Sequence, residues 1–121
     1  MFVSVKGSPY PRFRRALRTG NLNVIRGAAA ELPRIPLEDA LTITALLRED
    51  RAQFEKAALR WLGRLCLEAR DIAFEDLEMA LAALRLIPIE PEDGWRALDD
   101  VRRRLGLPEP VRPSMRRSGQ R

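Results

Sequence analysis

With 121 residues, 45% of them apolar and 32% charged, and no apolar run of membrane length, the chain has the makeup of one globular domain rather than a disordered or membrane-spanning protein. Its 22 basic and 17 acidic residues leave a net charge of +5; histidine, the commonest general base and metal ligand, is absent, and a single cysteine excludes an internal disulfide. Residues 1–13 show no charged segment followed by a long apolar stretch, so a reducing, cytoplasmic setting is expected.

Helical signals run through almost the whole chain. A short first helix extends from about Arg12 to Thr19 and stops at Gly20, which can adopt the left-handed conformation that follows a helix C-terminus. Asn21 can cap a second helix, whose Leu22, Ile25, Ala28, Ala29 and Leu32 have helical spacing; Pro33 stops it. Pro36 suits the start of a third, Leu37 to about Glu49, with Glu38 and Asp39 in the first turn complementing the helix dipole. Apolar residues on nearly all its sides (Leu41, Ile43, Leu46, Leu47) make this helix central.

The fourth helix, about Arg51 to Ala69, carries Phe54, Ala57, Ala58, Trp61, Leu62, Leu65 and Cys66 on one stripe, so the Cys66 thiol is expected to be buried and inert. A fifth, from about Phe74 to Leu86, turns Phe74, Leu77, Leu81 and Leu84 inward and ends before Pro88. The sixth opens at Pro91, with Glu92 and Asp93 in its first turn, and runs through Trp95, Leu98, Val101 and Leu105 to a stop at Gly106. Residues 1–107 thus read as one helical domain, and residues 108–121, with three prolines and several arginines, as a flexible basic tail.

A shift of 37 residues lays one helical hairpin on the next. Glu31, Ile35, Leu37, Glu38 and Asp39 fall on Glu68, Ile72, Phe74, Glu75 and Asp76, while Leu22, Ile25 and Ala29 fall on Leu59, Leu62 and Cys66. The expected fold is therefore all-α, about six helices with two hairpins repeating at this offset as a short α-solenoid; a compact helical bundle is the alternative. Over roughly Asn21 to Ile87 the architecture resembles HEAT-like α-solenoid repeats, without any signature residue of that family. That resemblance implies a layer of helices used as a binding surface, capped by the first and sixth helices.

No catalytic residue, metal ligand or cofactor is indicated. The four serines lie near the termini, and no G-x-S-x-G, phosphate-loop or dinucleotide glycine pattern is present. Neighbouring acids such as Glu38 with Asp39 and Glu75 with Asp76 point about 100° apart on a helix and suit helix starts better than paired-carboxylate chemistry. The chain is accordingly not expected to be an enzyme.

Charge position is more informative than total charge. Residues 1–20 carry five basic residues and no acid, residues 102–121 carry seven arginines against Glu109, and the segment between is net acidic. Arg12, Arg14, Arg15 and Arg18 form an N-terminal cluster that either an acidic partner or acids of the body can neutralise. Lys56, Arg60 and Arg64, spaced by four, make a ridge of one sign on the fourth helix; Arg64 can also pair with Glu68. In the run Arg102 to Arg104, Asp99 and Asp100 stand four residues before Arg103 and Arg104, which leaves Arg102 without a local partner. These residues are the binding candidates. They favour a helical module that docks a protein partner as an adaptor or regulator, with no role for a membrane. The alternative is a nucleic-acid binder gripping phosphates through its arginine-rich ends, which convergence of those ends on one face would favour.

Overall fold

The computed structural model describes residues 8–115. These form six helices: α1 (Pro9–Thr19), α2 (Leu22–Ala29), α3 (Leu37–Leu46), α4 (Arg51–Glu68), α5 (Phe74–Leu86) and α6 (Pro91–Arg104). Among the described residues there is no strand, and no helix is long and apolar enough to cross a membrane.

Local chemistry sets the helix ends. Gly20 closes α1 with φ 69° and donates its N–H to the Leu17 carbonyl, and Gly106, φ 71°, follows α6. The Asn21 side chain accepts from the N–H groups of Asn23 and Val24 at 3.0 and 3.2 Å, which satisfies two of the four donors that a helix start leaves open. Asp50 does the same for Gln53 at the head of α4, at 3.2 Å.

Connection length decides which helices pair. The short links 20–21, 47–50 and 87–90 fold back tightly, so the closest neighbours are α5 with α6, α3 with α4, and α1 with α2. The longer links 30–36 and 69–73 separate these pairs: α4 meets α5 over a smaller contact, and α2 with α3 is not a close pair. An offset of 37 residues relates the start of α3 to that of α5, while α2 meets α3 less closely than α4 meets α5. The first and sixth helices pair closely with α2 and α5.

Two apolar cores result, and α3 divides them. Leu37, Leu41 and Ala45 face the larger, with Phe54, Trp61 and Leu65 of α4, Ala80, Ala83 and Leu84 of α5, and Trp95, Leu98 and Val101 of α6. Ile43 and Leu46 face the smaller, built on Phe13, Leu17 and Ile25. A helix that serves two cores must be apolar on two sides, as the α3 sequence is. Trp61 packs in the larger core and donates its indole N–H to the Leu37 carbonyl at 2.9 Å, tying α4 to the start of α3.

Three sequence expectations are corrected. Phe74 is 86% exposed and Leu81 also lies at the surface, because α5 turns its small residues, Ala80 and Ala83, toward α6. Cys66 is exposed, since the buried side of α4 is the narrower row Phe54, Ala58, Trp61 and Leu65. Residues 108–115 lie against the body instead of leaving it. Pro110, Val111 and Pro113 are buried, Val111 joins the smaller core, and its carbonyl accepts from the Thr42 hydroxyl at 2.6 Å. The remaining tail positions, 116–121, are outside the described residues, as is Lys6.

The alanine side of α5 allows a close backbone approach at Gly94 of α6. A β-carbon there would come within 2.8 Å of the Ile87 nitrogen and 3.1 Å of the Ala83 carbonyl oxygen, atoms that cannot rotate away. Gly94→Ala should therefore destabilise the fold by about 1–3 kcal/mol, the usual effect of overpacking. Gly63→Ala, in the interior of α4 with nothing near its β-carbon, should instead stabilise by about 0.5–1 kcal/mol. Urea melts of the two variants check both signs, and equal behaviour would refute the close crossing.

Candidate functional site

Among the described residues, most arginines of the two ends are held in ion pairs. Arg14 turns inward and donates to the fully buried Asp39 carboxylate at 2.6 Å, and the Tyr10 hydroxyl donates to the other oxygen of that carboxylate at 2.7 Å. Arg12 pairs with Glu31 and Arg112 with Glu92. Arg102, expected to lack a partner, donates to Asp99 at 2.7 Å and to the Leu107 carbonyl. An i,i+3 pairing and the returning chain supply these contacts. Arg103 reaches Asp99 at 2.8 Å, whereas Arg104 bypasses Asp100 for Asp76 at 3.1 Å. Within the N-terminal cluster, Arg15 and Arg18 are exposed and make no ion pair among the described residues.

These contacts perturb three groups. Tyr10 is raised above its ordinary 10.0 by burial, then by the hydrogen bond to and charge of Asp39. Burial would lower Arg14, but the Asp39 hydrogen bond and charge outweigh it and the guanidinium is raised. Glu68 is lowered, first by its hydrogen bond from Arg64 and further by the charges of Arg64 and Arg34.

Unpaired cations and exposed aliphatics also line the two flanks of α4. On one flank, Lys56, Arg60 and Arg64 line a trough of about 440 Å³ whose floor comes from α3 and the links on either side of it, including Ile35, Ile43 and Leu47. Arg26 of α2 lines the same trough, a fourth cation that no local pattern in the sequence connects to α4. On the other flank, α4, α5 and the link to α6 enclose an open groove of about 620 Å³. Leu59, Leu62, Leu81, Pro88 and Ile89 line it, with Arg51, Glu55 and Arg85 among its polar residues.

Comparison with protein-family models, curated proteins and solved structures finds no match. Function must be read from these surfaces. Leu59 and Ile89 are 68% and 67% exposed, so large aliphatics reach water around one concavity. Their signal in the sequence was ambiguous, because α4 and α5 are apolar on more sides than one core can bury. Among the described residues no group of three or more His, Cys, Asp or Glu could hold a metal ion. Asp39 and Asp76, one from each of the neighbouring-acid pairs Glu38 with Asp39 and Glu75 with Asp76, are each engaged by an arginine from another helix.

The Asp39 cluster makes a pH prediction. A folded-state pKa raised above the unfolded value means that the Tyr10 contribution to stability is complete below the ordinary tyrosine pKa and is lost as pH rises through the raised one. Tyr10 is the only tyrosine in the chain, so tyrosinate absorbance follows it directly. Its native midpoint should exceed that of the urea-unfolded chain and fall in Asp39→Asn, which removes the negative charge. Asp39→Ala, which leaves Arg14 without its partner, should lower stability by about 3 kcal/mol. A native titration that coincides with the unfolded one would contradict the buried contact.

Proposed function

We propose that the chain is a non-enzymatic helical binding module, an adaptor or regulator of the cytoplasm, that docks a protein partner in the groove between α4 and α5. The observation that carries this reading is the cluster of exposed aliphatics, Leu59, Leu81 and Ile89, around one open groove. A cleft between two helices with aliphatic walls accepts the apolar face of a third, its anchors spaced at i, i+3 and i+4. Arg51 and Arg85 at the groove, against Glu55, favour acidic residues flanking those anchors. The layered α3–α4 and α5–α6 hairpins would present this surface in the manner of a HEAT-like stack.

A second reading, nucleic-acid binding through the ends of the chain, draws on one observation: Val111 joins the core cluster of Phe13 and Leu17, which brings the described parts of the two ends near each other. Against it, Arg12, Arg14, Arg102, Arg103, Arg104 and Arg112 are all held in ion pairs. Phosphate neutralisation makes affinity fall steeply with salt. No mobility shift of DNA or RNA at low ionic strength would eliminate this reading.

For the groove, Leu59→Glu combined with Ile89→Glu should abolish capture of a defined partner from the native host while leaving the melting temperature near that of the parent, because both side chains already face water. Cys66 offers a reporter. It lies seven residues beyond Leu59, hence on nearly the same face of α4 and about 10 Å along the axis. An environment-sensitive dye on its thiol should label the folded protein readily and change emission when the partner binds. Retention of the partner by the double variant would remove the groove from consideration.

A further inference from the structure

We propose that the trough between α2, α3 and α4 is a second docking site, built for an acidic, partly apolar segment of a protein. It rests on different residues from the α4–α5 groove and stands or falls separately. Four cations line it: Arg26 from α2 and Lys56, Arg60 and Arg64 from α4. Among the described residues, Arg26, Lys56 and Arg60 take part in no ion pair or side-chain hydrogen bond. Arg64 pairs with Glu68 at 2.7 Å, but Arg34 shares that same carboxylate, so one acid answers two guanidinium groups.

The fold brings acids to many of its other arginines, even across 28 residues for Arg104 and Asp76, although Arg15 and Arg18 of α1 make no such pair. Here it collects like charges instead, and neighbours four apart on a helix repel. An anionic occupant relieves that repulsion, and a concave site between low-dielectric walls strengthens its attraction. The chemistry of the floor narrows the occupant further. Ile35, Ile43 and Leu47 are half-buried aliphatics, which suit leucine-like anchors. Trp61, the one aromatic lining the trough, is 3% exposed and gives no face on which a nucleic-acid base can stack. Carboxylates to meet the cations and apolar side chains to meet the floor define an acidic amphipathic peptide.

The test uses the full chain and three fluorescein-labelled probes read by anisotropy: a synthetic peptide of leucine, glutamate and alanine in helical repeat, its glutamine-for-glutamate counterpart, and single-stranded oligothymidylate. The acidic peptide should bind at least about tenfold more tightly than the glutamine peptide, a difference of about 1.4 kcal/mol. Lys56→Gln with Arg60→Gln should remove most of that difference, and Arg26→Gln, on a different helix, should reduce it as well. Leu59→Glu with Ile89→Glu should leave it unchanged, which separates this site from the groove. Equal affinity for the two peptides would overturn the proposal, as would unchanged acidic-peptide binding in the glutamine variants. Oligothymidylate binding that depends on the same cations, without peptide binding, would overturn it in favour of a nucleic-acid site.

Discussion

The Asp39 carboxylate, with no solvent contact, is the constraint on which the arrangement of the N-terminal half depends. A charge in that position is tolerable only if it is paired and hydrogen-bonded, and both oxygens are occupied, one by Arg14 and the other by Tyr10. Both partners lie on α1. The requirement therefore fixes α1 against the first turn of α3, and with it Phe13 and Leu17 over the smaller core. Asp76, at the matching position of α5, plays a related part. One oxygen accepts the Ala73 N–H at the helix start, and the other accepts from Arg104 at the end of α6. Each acid sits in a helix first turn, where the dipole favours it, and each also joins two helices.

With α1 placed by charge, α3 becomes the partition between two cores and the other helices arrange themselves around it. The α5–α6 crossing then follows from residue size. Ala80, Ala83 and Gly94 bring two backbones close, and a leucine face turned the same way would hold them apart. The consequence is that Leu81 and Phe74 are turned to water, and the α4–α5 side of the molecule keeps an open groove. A surface suited to docking thus arises as the reverse side of an alanine-mediated packing choice.

That choice explains why the sequence was legible in some places and not in others. Helix identity and ends were legible because their causes are local: the glycines after α1 and α6, the Asn21 cap, and the prolines at 33, 36 and 88. The central role of α3 followed from its apolar residues on all sides. For α5, two stripes compete at the same period, one leucine-rich and one alanine-rich. Hydrophobicity alone favours the leucine stripe, whereas close approach to Gly94 requires the alanine one. Cys66 was misplaced for a similar reason, because a stripe drawn through Leu62 continues to it although the core stops at Leu65. The partners of Arg102 and Arg104, and the joining of Arg26 to the α4 ridge, depend on which helices fold beside each other. No periodicity within one helix carries that information.

On the proposed readings, charge position concentrates binding on α4. The basic ends and the acidic body attract each other, and the structure realises that attraction as ion pairs that bind α1, α6 and the 108–115 segment to the rest. Those pairs remove much of the field from the ends. Lys56, Arg60 and Arg26 are left outside this exchange, on one flank of an 18-residue helix whose other flank is aliphatic. The two flanks call for different kinds of contact. Exposed cations mainly accelerate encounter with an acidic surface, whereas aliphatic anchors slow dissociation by excluding water. The lining residues of the two flanks do not overlap, so on the proposed readings both flanks would be open to engagement at once, and the chain would join two segments rather than hold one.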